Sequence, residues 1–479
     1  MSRIRAMKQR AKLAALPAVA LILGGCATVS QDAGFAEVSQ DVNERLDKQV
    51  TWYRGTEADQ KTRQKLQDLL DDEVTAPEAV QIALLNNRDL QATYSELGIA
   101  QADLVEAGLL SNPIFTGIAQ WPDGGGKPKW TFEISQSFLE IFYMPLRKRV
   151  AKAEFEAAKR RVTGEVLDLA GRTREAFYRY QANKQMQQMF ETVVKATGTS
   201  LEASEALRDA GNVPKLDVDR QQALHQRARL QLREAELATQ ETRQRLNTLM
   251  GVWGKQTQWQ VADRLPSLPD EPVSVENLAR RAIENSLNLA AAKQQIIAAG
   301  EQLNVSETTA LVPELELGVE SEGESSSWET GPTLSAPLPI FDQGQARVGR
   351  AEAQLRQARQ RYYALAVRIR SAVRTVRQRL LAARDRADYY QQKQLPLRSQ
   401  IVRQTQKQFN AMQLGVFDLL RAYEQQIRTG GQSIAALRDY WLARAELRQI
   451  LSGSLPEGAA PSASVQISGG AGDENQGGH

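Results

Sequence analysis

The chain has few of the residues from which most catalytic and metal-binding sites are built. It contains one cysteine and two histidines among 479 residues, so no internal disulfide, no cluster of His and Cys metal ligands and no Ser–His–Asp triad can be assembled. His225 lies in a polar helical stretch, and His479 is the last residue. The glycines at 124–126 follow a strand instead of opening a helix, which argues against a phosphate-binding loop. The sequence therefore predicts neither an enzyme nor a bound metal or cofactor.

Long apolar runs are also absent beyond the first 26 residues. There, basic residues at positions 3–12 precede the apolar run Leu13–Leu23, which is the order of a signal peptide. Removing residues 1–25 takes away five basic residues and no acidic ones, which leaves 55 basic against 57 acidic residues and a net charge of −2. Nucleic acid is therefore not an expected partner. No remaining run reaches the roughly 18 residues that a transmembrane helix needs.

The signal peptide ends in Leu23-Gly24-Gly25-Cys26. These four residues resemble the lipobox of bacterial lipoproteins, in which the cysteine becomes residue one and carries lipid. An ordinary signal peptide with a chance cysteine would give the same order. Because Cys26 is the only cysteine in the chain, lipidation is favoured, and Ala27 after it favours sorting to the outer membrane.

Proline is missing from Leu146 to Val213, and a helix of that length would reach about 100 Å, too long for a compact core. The segment Gly344–Met412 has the same character about 200 residues later. The same offset of about 200 residues relates other motifs: Asn112-Pro113 corresponds to Val312-Pro313, and the pattern Ala83, Asn86, Leu90 corresponds to Ala282, Asn285, Leu289. The chain is therefore interpreted as a tandem duplication.

The duplication divides the chain into segments. We expect a signal peptide at 1–25, a lipid-anchored N-terminal arm at 26–75, repeats at 76–262 and 274–453 joined by a linker at 263–273, and a disordered tail at 454–479. The arm is polar, mixed in charge and without strong periodicity, and is expected to pack along the outside of the body. The first repeat should open with one helix from Ala76 to Leu110, with Thr75 as N-cap and Glu78 completing a capping box.

One β-hairpin is predicted in each repeat, at 113–138 and 313–338. Trp130–Ser135 and Leu315–Glu320 alternate apolar and polar residues, which is the period of a strand with one apolar face. Strands of about nine or ten residues suit a tilted membrane strand. Trp121, Trp130 and Trp328 lie at the loop ends, where an interfacial aromatic belt would lie, although they could also shield a small soluble hairpin. Alternation, matched lengths and the lipid anchor favour a membrane barrel.

Four strands cannot close a barrel by themselves. An open sheet edge in lipid leaves main-chain N–H and C=O groups unpaired, at several kcal/mol each. Two chains would give about eight strands and a filled interior, whereas three give about 12 strands and a lumen. We therefore expect a homotrimer of mainly α chains, in which duplicated long helical hairpins form an α-barrel tunnel and four strands per chain contribute to an outer-membrane β-barrel of about 12 strands.

Each long helix is expected to turn and run back, at Gly211-Asn212-Val213-Pro214 and at Met412-Gln413-Leu414-Gly415, into returning helices at 216–250 and 417–452. Alanines at near-heptad spacing would line the seam, at Ala151, Ala158, Ala228, Ala235 and Ala238, although any Ala-rich helix shows some such spacing. Pro145, Pro337 and Pro339 are expected at the joints between strand and helix. Pro396 is expected to kink the second long helix toward the tunnel axis.

In this order the features resemble the TolC family of outer-membrane factors. The motifs are Asn112-Pro113 before the first strand, Ala336-Pro337-Leu338-Pro339-Ile340-Phe341 after the fourth, and Val416-Phe417-Asp418-Leu419-Leu420-Arg421-Ala422 after the second tip. The resemblance covers about Ala76 to Ser452, and the lipidated arm resembles the lipoprotein branch that serves multidrug and heavy-metal efflux. It implies a trimeric duct in the Gram-negative outer membrane, with a periplasmic helical tunnel that docks onto a periplasmic adaptor and an inner-membrane pump.

The same resemblance implies that the helix tips narrow an aperture and contact the adaptor. The residues expected there are Asp209, Gly211, Asn212, Val213, Pro214, Gln404, Gln408, Met412, Gln413, Leu414, Gly415 and Asp418. Family members often narrow the aperture with acidic residues, but Leu397–Met412 has none and carries Arg398, Arg403 and Lys407, so an acidic gate is in doubt. Asp217 and Asp418 are expected to cap the returning helices, or else to be solvated tip charges.

Five glutamates occupy the alternate strand positions, which point away from the apolar face: Glu133, Glu314, Glu316, Glu320 and Glu329. If that face of the sheet contacts water, a trimer lines its lumen with about fifteen carboxylates and favours the passage of cations. The expected function is passive conduction of small toxic compounds or metal cations to the exterior. Two alternatives stay open: a channel for type I protein secretion and, in a different class, an adaptor or structural coiled-coil lipoprotein of the periplasm.

Overall fold

A computed structural model describes residues 29–270, 276–310, 315–324 and 327–456, apart from the side chain of Ala58. The signal peptide, Cys26, Glu314 and most of the predicted tail lie outside these residues. Within them the chain is mainly helical, with one small sheet. None of the described helices combines the length and the apolar character needed to cross a membrane.

The elements follow the duplication. The first half contains α1 (Phe35–Leu46), α2 (Glu57–Asp71), α3 (Ala76–Asn86), α4 (Arg88–Glu106), β1 (Ile114–Gln120), β2 (Lys129–Ser137), α5 (Glu140–Asp209), α6 (Lys215–Met250) and a 3₁₀ turn (Gly254–Gln258). The second half contains α7 (Leu278–Asn285), α8 (Leu287–Thr308), β3 (Glu316–Glu324), β4 (Ser327–Ser335), α9 (Gln345–Tyr389), a π-helical turn (Tyr390–Gln394), α10 (Leu395–Asn410) and α11 (Val416–Ser452). From α3 onward, each half therefore repeats two short helices, a hairpin and a long helical hairpin.

The N-terminal arm is more regular than its sequence pattern indicates. It contains two helices, and α1 buries Val38, Val42 and Leu46, spaced four apart on one face. The interpretation of the arm as lacking periodicity is wrong, because a stripe of only three apolar residues is too short to stand out. Lys159 of α5 is ion-paired with Glu37 of α1, so the arm is attached to the first long helix by charge.

Two helices replace the single helix predicted from Ala76 to Leu110. The capping box at its start is confirmed, since the Thr75 N–H donates to Glu78 Oε2 at 2.7 Å. The helix is interrupted at Asn87, which has extended backbone (ψ 126°) and whose side-chain oxygen accepts from the Leu90 N–H at 2.9 Å. An Asn side chain that caps a new helix competes with continuation of the old one. Ser286 interrupts the second repeat at the corresponding place.

The long helix α5 runs for 70 residues, or about 105 Å. It begins six residues before the predicted start, so Pro145 lies inside its second turn and not at a joint before it. The N–H groups of Phe142 and Tyr143 already bond to Leu139 O, at 3.0 and 3.3 Å. A proline near a helix start is tolerated, because few intrahelical hydrogen bonds exist there to be lost.

The second long helix is not continuous from Gly344 to Met412. A π-helical turn at Tyr390–Gln394 separates α9 from α10, and Pro396 lies two residues after it. Pro396 has no N–H to donate to the preceding turn, and π turns and prolines are recognised causes of helix kinks. The interruption that Pro396 was expected to cause is therefore present, and its direction relative to a tunnel axis stays a prediction.

The four strands form one antiparallel sheet in the order β1-β2-β3-β4. The predicted hairpins are β1–β2 and β3–β4, and the two repeats are joined by pairing of β2 with β3, in which Glu133 lies opposite Glu320. Both hairpins of the sequence prediction are therefore confirmed. Strands β1 and β4 are the edges of this sheet within the chain.

Contacts divide the chain into two compact units, and each contains helices from both repeats. Taken over the described residues alone, unit 1 falls within 1–173, 245–261 and 287–365 and includes the sheet. Unit 2 falls within 174–244, 262–286 and 366–479 and includes both helix tips. The predicted seam alanines Ala151 and Ala158 are buried in unit 1, and Ala228 and Ala235 in unit 2. Ala238 is half-buried. The small-residue seam is thus used for packing within the chain.

Candidate functional site

The two faces of the sheet differ in chemistry. Residues paired across antiparallel strands point to the same face. The register therefore places on one face Phe115, Trp130, Phe132, Ile134, Leu317, Val319, Trp328 and Leu334. Their exposed fractions run from 37% for Phe132 to 68% for Leu334. The apolar face of the sheet is thus uncovered by any described part of the chain.

The three tryptophans of the predicted belt meet at the loop end of this face. Trp130 and Trp328 are both paired with Gly323 of β3. A Cβ atom at Gly323 would lie 2.4 Å from the Trp328 ring, so the glycine makes room for that ring. Trp121 contacts Trp130 edge to face, with ring centroids 6.4 Å apart. Phe132 stacks on Trp130 and on Trp328, at 6.1 and 5.9 Å.

The opposite face of the sheet is acidic. Of the five predicted glutamates, Glu133, Glu316, Glu320 and Glu329 lie there, and Glu314 falls outside the described residues. Glu322 and Glu324 share the face and were missed, because the predicted alternation stopped at Glu320 whereas β3 continues to Glu324. Their parity with Glu316 and Glu320 is the signal that could have found them.

Like charges directly opposite each other destabilise a sheet, yet Glu133 is paired with Glu320 and Glu322 with Glu329. Two contacts offset part of this repulsion. Lys129 is ion-paired with Glu322, and the Thr333 hydroxyl donates to Glu133 Oε1 at 2.9 Å. The second contact passes over Gly318, where a Cβ atom would lie 2.5 Å from Thr333 Oγ1. The face keeps a large excess of negative charge, since Lys129 is its one basic residue among the described strands.

The first helix tip is a Schellman turn. Gly211 has φ +76°, its N–H donates to Arg208 O at 2.8 Å, and the Asn212 N–H donates to Leu207 O at 2.9 Å. Asp209, Gly211, Asn212 and Pro214 are exposed, and Val213 is half-buried. The turn predicted at these residues is confirmed, and glycine occupies the one position that needs a left-handed backbone.

The second tip has the same turn with a methionine in place of the glycine. Met412 has φ +57°, its N–H donates to Phe409 O at 2.9 Å, and the Gln413 N–H donates to Gln408 O at 2.9 Å. The Met412 side chain is 95% exposed. Gln404, Gln408 and Met412 are spaced four apart and share one exposed side of the helix end, while Leu414 is half-buried and Gln413 and Gly415 are exposed.

The predicted capping role of Asp217 and Asp418 is corrected. The returning helices begin at Lys215 and Val416, so each aspartate lies in the first turn instead of at the N-cap. The N-cap of α11 is Gly415, which has no side chain to donate or accept. Both aspartates still favour their helices, since a negative charge in the first turn interacts well with the helix dipole.

Contacts between the two returning helices hold the tips together in unit 2. The Arg220 guanidinium lies 3.6 Å from the centroid of the Phe417 ring. Seven residues further along both helices, Arg227 is ion-paired with Glu424 at 3.4 Å. Helix α10 contains no acidic residue. No grouping of three or more His, Cys, Asp or Glu in the described residues could hold a metal ion.

Comparison with known proteins identifies the family. The model for outer membrane efflux proteins matches residues 79–252 and 278–453. Similar solved structures include CusC (16% identity, TM-score 0.68, 79% of this chain and 92% of that chain), the Campylobacter jejuni CmeC outer membrane channel (14%, 0.66, 81% and 88%) and the open state of the Neisseria gonorrhoeae MtrE outer membrane channel (16%, 0.64, 82% and 89%). A comparison with curated proteins by sequence gives no match.

The family match falls on both repeats and on most of the chain, and the solved structures share the fold. The chain therefore belongs to the outer membrane efflux protein family, and it is a transport protein and not an enzyme.

Proposed function

We propose that this chain is the outer-membrane exit duct of a tripartite efflux system, which passively conducts small toxic compounds or metal cations from the periplasm to the exterior. One observation carries the proposal: this chain, a member of the outer membrane efflux protein family, exposes the apolar face of its four-stranded sheet. In water such a face would be a liability. In a bilayer it is the surface that a barrel presents to lipid, with its tryptophans near the headgroups.

A homotrimer is the assembly that we propose for this duct. Strands β1 and β4 are unpaired at their outer edges within the chain, and an unpaired edge in lipid costs several kcal/mol for each main-chain group. Pairing β4 of one copy with β1 of the next satisfies both edges at once. Three copies enclose a barrel of about 12 strands, which is wide enough to conduct.

The acidic face of the sheet then lines the barrel lumen. We infer that Glu133, Glu316, Glu320 and Glu329, together with the predicted Glu314, attract cations into the passage. The repulsion between paired carboxylates supports this role, because a water-filled lumen solvates charges that a packed interior would not.

The exposed tips are the proposed contact with a periplasmic adaptor and, through it, an inner-membrane pump. Their support is geometric: both turns are hydrogen-bonded within themselves, and most of their side chains have no cover in the chain. Lipidation at Cys26 would hold the arm at the outer membrane. This part of the proposal rests on sequence, since Cys26 lies outside the described residues.

The function is tested on the full chain extracted from outer membranes in detergent. Electrophoresis without boiling should give a heat-modifiable trimer, and the same trimer should form ion-conducting channels in planar bilayers. A chain that is recovered from the periplasm as a water-soluble monomer, without channel activity, would contradict both the trimer and the duct. Replacement of Cys26 by Ser tests the anchor separately, by loss of lipid incorporation with channel activity kept.

A further inference from the structure

Three arginines of unit 2 meet around Tyr178 of α5. Arg174 lies one helical turn before Tyr178, and Arg444 and Arg448 lie one turn apart on α11. Burial raises the pKa of Tyr178, and the positive charges of all three arginines partly oppose that rise. Each arginine is therefore within electrostatic reach of Tyr178, and Arg448 is within reach of Arg174.

Aromatic rings form one wall of this cluster. Trp441 stacks on Tyr178 with ring centroids 5.2 Å apart, and the Arg444 guanidinium lies 5.1 Å from the Trp441 ring. Trp441 is held in place by its indole N–H, which donates to Pro266 O at 2.9 Å. The Trp441 ring excludes water from one side of the Arg444 guanidinium and so strengthens any interaction that this group makes with an anion.

Arg174 is the most costly member of the cluster. Its side chain is only 6% exposed. Burial and the positive charge of Arg448 lower the pKa of Arg174 to about 10. A buried guanidinium without a counter-charge costs several kcal/mol, so a folded protein normally provides one.

The carboxylates of the neighbouring turns are already paired with other arginines. Glu175 pairs with Arg179, whose Nε lies 3.1 Å from Glu175 Oε1. Glu446 pairs with Arg379 at 2.7 Å, and Asp439 pairs with Arg438 at 2.8 Å and with Arg386 at 3.8 Å. Across the described residues, no carboxylate lies within ion-pair distance of Arg174, Arg444 or Arg448. Their one polar contact is from Arg444 Nη1 to the Tyr440 hydroxyl, at 3.4 Å.

We propose that Arg174, Arg444 and Arg448 form a binding site for an anion that carries a carboxylate or phosphate group. The planar guanidinium donates two parallel hydrogen bonds to such a group, and three of them around one aromatic wall supply both charge and orientation. The test of this site does not depend on transport. The anion could be a free solute or an anionic group of the cell-wall polymer, which offer the same chemistry.

The experiment uses the full chain, solubilised in detergent as its natural oligomer. Inorganic phosphate and citrate are titrated into it at low salt, and binding is measured by isothermal titration calorimetry. The expected result is saturable binding with one site per chain. Arg448→Gln, an exposed change that folding should tolerate, should weaken binding on the order of tenfold. Arg179→Gln is the matched control, because Arg179 already has Glu175 as partner, and should bind as the wild type does. Equal binding by Arg448→Gln and the wild type would overturn the proposal.

Arg174→Gln tests the buried member, and Arg444→Gln replaces it if the first variant fails to fold.

Co-sedimentation with purified cell-wall sacculi, with and without competing citrate, distinguishes a free solute from the cell-wall polymer as the source of the anion. Capture of the wild type but not of Arg448→Gln, reversed by citrate, assigns the site to the polymer, and binding of free anions alone assigns it to solutes. If no anion binds and Arg174→Gln dissociates the oligomer, the counter-charge is a carboxylate of a neighbouring copy, and the proposal is wrong.

Discussion

Asn86 and Gly251 are joined by a 2.7 Å hydrogen bond, from the Asn86 side-chain amide to Gly251 O. The same amide donates to Met250 O at 3.1 Å. This contact links the end of α3 to the end of the returning helix α6, 165 residues away. The second repeat makes the equivalent link, from the Asn285 side chain to Leu451 O at 3.1 Å. The asparagines that mark the duplication in the sequence therefore close each repeat.

Replacing Gly251 by Ala should destabilise the protein by about 2 kcal/mol or more. Gly251 has φ +67°, and a Cβ atom there would lie 2.7 Å from Asn86 O. Heat resistance of the detergent-extracted protein is the measurement. Gly164→Ala is the control: it lies within α5 with nothing within 4 Å of the added Cβ, so it should stabilise by about 0.5 to 1 kcal/mol. Equal stability of the two variants would show that neither the left-handed backbone nor the close approach to Asn86 O requires glycine at position 251.

The sequence was a good guide wherever one local signal decided the structure. Alternation predicted the two inner strands, β2 and β3, and their less regular partners β1 and β4 completed the hairpins. Glycine and proline marked the helix tips. Breaks set by a single side chain were missed, such as the Asn87 cap that splits the predicted 76–110 helix. The Met412 turn was located by its correspondence with Gly211, but its left-handed backbone could not be foreseen, because methionine does not prefer it.

The arginine cluster around Tyr178 was also beyond the reach of sequence reasoning. Arg174 and Arg448 are 274 residues apart in a chain that is rich in arginine throughout. Nothing local marks which of these arginines lack a carboxylate. The Glu175–Arg179 pair is local to α5, but the Arg379–Glu446 pair joins α9 to α11 and depends on three-dimensional packing.

Phe132→Lys should prevent stable insertion into the outer membrane, whereas Thr131→Lys should not. Phe132 lies on the apolar face, and a lysine on a lipid-facing strand costs about 2 to 4 kcal/mol near the bilayer centre. Thr131 is the adjacent residue and points to the acidic face, next to Glu322. Yield of heat-modifiable trimer in the outer membrane fraction measures the difference. Normal insertion of Phe132→Lys would show that the apolar face does not contact lipid.

Glu133→Gln combined with Glu320→Gln should shift the reversal potential of the channel toward anions. These carboxylates lie opposite each other on the acidic face, and the proposed lumen loses two negative charges per chain. The measurement is a planar-bilayer recording under a salt gradient. Glu57→Gln, an exposed change on the N-terminal arm, should leave the potential unaltered. Anion preference in the wild type, or an unshifted potential in the double variant, would refute the acidic lumen.

Met412→Gly should stabilise the second tip by about 1 kcal/mol, since it removes the cost of a left-handed backbone at a residue with a Cβ. The reverse change, Gly211→Met, should destabilise the first tip by a similar amount. Hydrogen exchange of the tip amides, including that of Gln413, reports both effects. Because the Met412 side chain is 95% exposed, little packing is lost. A destabilised Met412→Gly tip would indicate that this side chain makes contacts in the assembled duct.

Arg220→Gln should loosen the tips and increase the conductance of the duct. Arg220 joins the start of α6 to the start of α11 through the Phe417 ring at 3.6 Å, and it lies 3.9 Å from Asp217. Removing the guanidinium abolishes the cation–π contact, worth about 1 kcal/mol at a partly exposed site, and leaves Arg227 with Glu424 as the next link between the two helices. Phe417→Leu should have the same effect with the charge kept, because it removes the aromatic face alone.

The control for both tip variants is Arg208→Gln. Arg208 is paired with its neighbour Asp209 on the same helix, at 2.9 Å. The substitution therefore removes one positive charge from the tip without breaking a link between α6 and α11. Single-channel conductance at fixed salt should rise for Arg220→Gln and Phe417→Leu and stay at the wild-type value for Arg208→Gln. A rise in all three would mean that tip charge alone sets the conductance. A rise in none would place the narrowest part of the duct away from this contact.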